Sequence, residues 1–368
     1  MQKLAILYRP ELEEYDFGTG HPFRGDRYRA FPQFLAGNLA EGDYQILKAE
    51  PATDADLRLI CQPDYIDFTR DYFRAANAGL SGAGQFSRYH SADNRPIGRP
   101  GKLEEAARLI IGQAKMACRL VQGGEFAKVV SLGGGMHHAH PAYGEGFCLY
   151  NDVAFCGLFL LQEYKLERIL ILDTDAHAGN GTAEYFYEEP RVLFIDLHQD
   201  PGTLYPGTGF AHQIGAGSGQ GFTINIPMPL YAGDDSYRLA FDTIVAPVVQ
   251  EFKPQIIIRN GGSDPHFADT LTNLGLSLEG LRMLGEKVRE MANICDGKVI
   301  DLIGSGYNTK VLPYGWLALI AGLGGIELNI AEPEPVPPGF SPDPTLAGTE
   351  KVIAEVRRQL KDYWRCLG

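Results

Sequence analysis

Short runs of β-branched and apolar residues alternate along the chain with longer stretches of helical periodicity. The runs Leu4–Tyr8, Lys128–Leu132, Ile169–Asp173, Val192–Leu197, Phe222–Ile226, Gln255–Arg259 and Lys298–Ile303 read as strands. Between and after them, Lys102–Gln122, Asn151–Tyr164, Asp234–Glu251, Leu278–Ala292, Gly315–Leu323 and Thr349–Tyr363 read as helices. The strands show little polar alternation, so both of their faces are expected to be buried. Strands of that kind separated by helices predict an α/β fold: a mostly parallel central sheet with helices on both faces. The Pro-rich, acidic segment 331–344 suits a surface strap leading to a last helix at about 349–363, so 1–368 reads as a single domain. Ser81–Gly101, rich in Gly, Ser, Arg and Pro, reads as a long surface loop of the length that often carries function.

Composition narrows the class of partner. A chain of 368 residues with 45% hydrophobic and 21% charged content can bury a large core without staples. A formal net charge of −13 argues against direct binding of nucleic acid, which calls for clustered Lys and Arg. The six cysteines form no C-x-x-C pair and read as reduced thiols of a cytoplasmic protein. The opening MQKLAILYRP lacks the pattern of a secretory signal, and no apolar stretch reaches the length of a membrane span.

Four polar, Gly-rich clusters follow four of the strands. They are 133–138 (GGGMHH), the run from Asp173 to Gly181, 260–265 (NGGSDP) and 304–308 (GSGYN). In open parallel sheets ligands bind beyond the carboxyl ends of the strands, so four such clusters point to one site. In extended chain, Asp173, Asp175 and His177 project to one face, and carboxylate oxygen with imidazole nitrogen suits Zn²⁺ or a similar ion. Taken alone, the same run also reads as a polar strand end before a Gly-Asn-Gly turn. Asp264 supplies a third ligand to Asp175 and His177, leaving a fourth position for water. His137 and His138, flanked by glycines, can both reach one cavity, although an isolated pair would read better as a solvated loop. Tyr307 offers a hydroxyl to a substrate carbonyl, or else packs. Neither GGGMHH nor 215–221 (GAGSGQG) has the spacing and helix context of a phosphate loop.

The motifs GGGMHHAHPAYGEGFCLYND, DTDAHAGNGT, GGSDPHFADTLTNLGLS and GSGYN resemble the zinc-dependent histone deacetylase superfamily. That superfamily includes acetoin-utilisation proteins and acetylpolyamine amidohydrolases, and the likeness runs from about His21 to Asn308. Its DAH-x-GNG form is most similar to the class IV branch or bacterial members close to it. The resemblance implies a three-layer arginase/deacetylase-like fold and hydrolysis of an acylated lysine or small acylated amine. It implies one Zn²⁺ on Asp175, His177 and Asp264. His137 and His138 would be the acid/base pair, supported by Asp173 and Asn180 respectively, and Tyr307 the hydroxyl that polarises the carbonyl. Gly146, Phe147, Tyr205 and Leu271 would line the acyl tunnel, with Arg27 at the inner end of its acetate cavity. A monovalent cation, usually K⁺, would sit by Asp173, Asp175, His177, Asp196 and Leu197. Asp93 falls in the loop that carries the substrate-clamping aspartate of the family.

Three departures accompany the likeness. Ala178 stands where many members have a second histidine, and Asp196 where a serine is frequent. Asn180 replaces an aspartate; being neutral, it supports an imidazolium less, so His138 is expected to be more readily neutral. A binuclear manganese ureohydrolase of the arginase type is an alternative reading of the fold, but it calls for an aspartate where this chain has Gly179. A silent binder of acylated lysine or amine is a third reading.

Overall fold

A computed structural model of the chain describes residues 4–80, 84–340 and 343–368. Its eight strands are β1 (Leu4–Leu7), β2 (Tyr44–Leu47), β3 (Lys128–Leu132), β4 (Ile169–Asp173), β5 (Val192–Gln199), β6 (Thr223–Met228), β7 (Ile256–Gly261) and β8 (Val299–Ile303). They form one sheet in the order β2-β1-β3-β8-β7-β4-β5-β6, with every neighbouring pair parallel. The strands β4, β5, β7 and β8 are buried along their whole length, as continuous apolar runs covered by helices require.

This order has a direct consequence for chemistry. The four strands that precede the polar clusters, β3, β8, β7 and β4, are neighbours at the centre of the sheet. Register sharpens the placement: Asp173, the last residue of β4, pairs with Asn260 of β7 on one side and Asp196 of β5 on the other. The sheet thus sets three polar side chains abreast at one edge.

Several elements differ from the expectations of the sequence. The edge strand β2 has only four residues, two of them exposed, and carries no run of buried apolar positions. The helix Asp26–Asn38 lacks a clear sequence signal, whereas Pro63–Asn77 carries one that the sequence reading passed over, a proline at its first position and apolar residues at helical spacing. The first contains Pro32, and the second buries Tyr65, Ile66, Thr69 and Phe73 among charged neighbours. Residues 81–83 of the expected loop lie outside the described residues. The remainder is partly helical: Phe86 and Tyr89, one turn apart and both buried, fold Phe86–Tyr89 inward. In the strap, residues 341 and 342 lie outside the described residues. Glu332 reaches His266 Nε2 (2.9 Å) and Asp343 accepts from the Gly233 and Ser236 amides. The last helix spans Leu346–Leu360, three residues earlier than expected. No helix among the described residues is long and apolar enough to cross a membrane.

Candidate active site

The loop after β3 is built around two residues of the YND sequence. Asn151 accepts from the Ala154 amide, capping the helix Asp152–Glu163, while its Nδ2 donates to the carbonyl of Ala139. The Asp152 carboxylate accepts from the amides of Gly135 and Met136. Held from both ends, the intervening residues turn both imidazoles to one side, with His137 Nε2 3.1 Å from His138 Nε2.

The two rings have different support. His137 Nδ1 lies 2.9 Å from Asp173 Oδ2, and Asp173 in turn accepts from Asn260 Nδ2 at 2.9 and 3.0 Å. His138 Nδ1 lies 2.7 Å from Asn180 Oδ1. Burial works against a charge on His137, but Asp173 and Asp175 outweigh it and lift its pKa to about 9. Burial, reinforced by the charges of His137 and His177, holds His138 well below the ordinary imidazole range. The pair therefore carries one positive charge, on His137, and His138 is neutral.

Beside them, Asp175, His177 and Asp264 bring one ligand atom each to within 4.8 Å of one another, all buried. His177 Nδ1 is 3.1 Å from Asp175 Oδ1 and 3.2 Å from Asp264 Oδ2. Ser305 Oγ fixes the other oxygen of Asp264 at 2.6 Å. Burial and the charge of Asp175 push the Asp264 carboxyl upward. Two buried carboxylates converging on one imidazole form an environment that favours a cation, and their N/O donor set fits a divalent metal with room for a further ligand. Among the described residues this is the one cluster of its kind. A second metal meets an obstacle at Gly179: a Cβ there would lie 2.7 Å from Asp173 Oδ2 and 3.2 Å from His137 Nδ1. An aspartate at that position would have to displace the Asp173 carboxylate from His137.

A cavity of about 210 Å³ opens onto these groups, lined among others by His137, His138, Phe147, Tyr205, Leu271 and Tyr307. The Tyr307 ring stands edge-on to His177, 6.3 Å between centroids, and its amide is anchored by Asp269 at 2.8 Å. Gly146 borders the cavity with φ +59°, and a Cβ there would fall 2.2 Å from the His138 ring, so only glycine fits. The Gly146 amide donates to Asp93 Oδ2 at 3.0 Å, which puts Asp93 at the cavity wall. Arg27 stands behind the lining, with its guanidinium 5.6 Å from the Tyr307 ring and bonded to the Gly304 carbonyl at 3.1 Å.

The Asp196 carboxylate adds less free charge than the sequence suggests. Its two oxygens accept from the Gly179 amide (2.8 Å) and from His198 Nδ1 (2.7 Å). Burial disfavours a charge on His198, but Asp196 overcomes this and raises its pKa. Ala178 lines a second cavity of about 320 Å³.

The structure thus brings every expected metal, acid/base and tunnel residue to one place. It also recruits groups the sequence reading passed over: Asn260, Ser305, Asp269, Glu145 and His140. For Asn260 a signal existed, since it follows the apolar run 256–258 and opens the polar cluster 260–265. The others lie in loops, where no periodicity marks them.

Comparison with known proteins gives the following. Residues 21–323 match the family described as histone deacetylase domain. A protein of Archaeoglobus fulgidus named "Probable deacetylase" is 40% identical over 375 residues, covering 98% of this chain and 99% of its own. "Acetoin utilization protein AcuC" of Staphylococcus aureus is 34% identical over 318 residues, covering 86% of this chain and 80% of its own. Among solved structures, the crystal structure of the HDA15 HD domain superposes with a TM-score of 0.79 at 25% identity, covering 100% of this chain and 97% of that one.

Proposed function

We propose, on the premise that this chain belongs to the histone deacetylase family, that it is a zinc-dependent deacylase. Its substrate would be acylated lysine or a small acylated amine, cleaved to a carboxylate and a free amine. The observation that carries the reading is the convergence of the buried Asp175–His177–Asp264 cluster, the tandem imidazoles and the Tyr307 hydroxyl on one cavity.

Asp175, His177 and Asp264 would hold the metal. A divalent cation there supplies Lewis acidity, polarising an amide carbonyl and acidifying water. The chain's own groups do the rest. Phe147, Tyr205 and Leu271 offer apolar surface to an aliphatic acyl-amine stem. Asp93, at the wall beside Gly146, is placed to accept from a substrate N–H. His138, neutral, takes a proton from the attacking water at Nε2. The Tyr307 hydroxyl, kept protonated by burial and by the charges of Asp175 and Asp264, donates to the oxyanion that develops as the carbonyl is attacked. The proton held by the histidine pair then passes to the leaving nitrogen, giving the free amine. The expected monovalent cation would be held by backbone oxygens around Asp173, Asp175 and His177 with the Asp196-Leu197 pair, the Asp196 carboxylate itself being hydrogen-bonded to the Gly179 amide and His198.

The test is an assay of zinc-loaded protein against acyl-lysine peptides of increasing chain length and acetylated polyamines, with Tyr307→Phe alongside. Wild type is expected to release carboxylate from at least one member of the panel. The variant should turn over roughly 10²–10³-fold more slowly at unchanged zinc content. No hydrolysis of any member, or wild-type turnover by the variant, would overturn the reading.

A further inference from the structure

The support of His138 does not end at Asn180. Asn180 Nδ2 donates to Glu145 Oε1 at 2.5 Å, and His140 Nε2 reaches the same oxygen at 3.1 Å. Because the two nitrogens share one acceptor, they stand 3.1 Å apart. On its far side His140 Nδ1 bonds Glu184, whose side chain is 53% exposed. A chain of five residues thus runs from the surface to the acid/base pair.

The directions of these bonds are fixed by chemistry. An ionised carboxylate only accepts, so the NH₂ side of the Asn180 amide must face Glu145. The carbonyl side then faces His138, and since a carbonyl also only accepts, His138 Nδ1 must carry the proton. The Nε2 lone pair is left pointing at His137 and the cavity. Without a carboxylate at residue 145 the two nearly isosteric ends of the amide can exchange. The exchanged amide presents N–H to Nδ1, which moves the proton to Nε2 and removes the lone pair. An aspartate at 180 would need no such control, because both of its oxygens accept.

We infer that Glu145 is a positioning residue that sets the tautomer of His138 by fixing the orientation of the Asn180 amide, so that Asn180 and Glu145 together do the work of one carboxylate. The charge of Glu145 is kept in place by its neighbours. Burial opposes ionisation, but His140 and Asn180 outweigh it and hold the pKa low. Burial likewise opposes a charge on His140, and Glu145 and Glu184 overcome it.

The inference rests on the reading of His138 as proton acceptor, and its test is readable without turnover. In protein labelled with ¹⁵N-histidine, wild type should show His138 as the Nδ1–H tautomer. Glu145→Met, which keeps bulk but offers no strong acceptor, should show Nε2–H or a mixture, with kcat reduced about tenfold and KM nearly unchanged. Glu145→Gln, whose amide can accept or donate and so fixes the Asn180 orientation less firmly, should fall between wild type and Glu145→Met in both readouts. Adding Asn180→Asp to Glu145→Met should restore the Nδ1–H tautomer and most of kcat, which repair of packing alone cannot do. Retention of the Nδ1–H tautomer in Glu145→Met, or failure of the double variant to recover it, would overturn the inference. Protein with the expected tautomers that hydrolyses no acylated amine would instead overturn the functional reading and leave this one standing.

Discussion

His137 and His138 are neighbours in sequence and in space, yet the structures behind them differ in kind. Behind His137 stand Asp173 and Asn260, both at the ends of central strands, paired in register and fully buried. Behind His138 stand Asn180, Glu145, His140 and Glu184, drawn from loops and the short helix Asn180–Phe186, and reaching solvent within four residues. The first support is part of the sheet, and its carboxylate keeps a proton on His137. The second is an amide whose orientation is itself imposed, and it keeps a proton off the reactive nitrogen of His138. A fixed charge needs a rigid frame, whereas a tautomer needs only a hydrogen-bond direction, and loops can supply that.

The contrast breaks most visibly at His138 itself. Replacement by alanine removes the proton acceptor, and kcat is expected to fall by about 10²–10⁴ across the neutral pH range. Equal loss in a His138→Gln variant and little loss of bound zinc would confine the effect to proton transfer. A His138→Ala enzyme within tenfold of wild type would mean that His137 alone serves both roles, and the asymmetry between the two rings would have no catalytic meaning.

Asp173→Asn probes the other ring and should act more through pH. The His137 pKa, about 9, lies above the ordinary value near 6.5, so folded protein binds this proton more tightly than the unfolded chain does. The group therefore contributes stability that is fully present below about pH 6.5 and is lost as pH rises through about 9. Removing the Asp173 charge weakens that contribution. Denaturant melts from pH 6 to 10 should show the gap between wild type and Asp173→Asn widest at the acid end and narrowing toward pH 10. The alkaline fall in kcat should move to lower pH, with a loss at neutral pH of about 10–100-fold. A gap that does not vary with pH would place the His137 proton elsewhere.

What the sequence made legible follows the same division. The central strands announce themselves as runs such as 169–173 (ILILD) and 256–258 (III), because a strand buried on both faces has no polar positions to spare. The groups at their ends, among them Asp175, His177, Asp264 and Tyr307, could be placed together without coordinates, since ligands collect at the carboxyl ends of parallel strands. By contrast, the edge strand β2 and the helix Asp26–Asn38 are built from mixed, partly exposed residues, and tertiary packing decides them. Glu145 and His140 were opaque for a stronger reason. They meet Asn180 across 35 and 40 residues of chain, with no register to relate the loops that carry them.

The smallest expected effect lies at the outer end of the His138 support. Glu184 bonds His140 from a half-exposed position, where water and salt screen its charge, and exposed pairs of this kind contribute little. His140 retains Glu145 as a half-buried partner when Glu184 is neutralised, so the Asn180 amide keeps its direction. Glu184→Gln should therefore change kcat by less than about twofold at neutral pH. The His140 pKa should fall, since one of the two carboxylates that raise it is gone, and histidine resonances followed through a pH titration report this directly. If Glu184→Gln instead slowed turnover as much as Glu145→Met, the surface carboxylate would belong to the working support. The two histidines would then differ not in rigidity of frame but in how far from the cavity their protonation is decided.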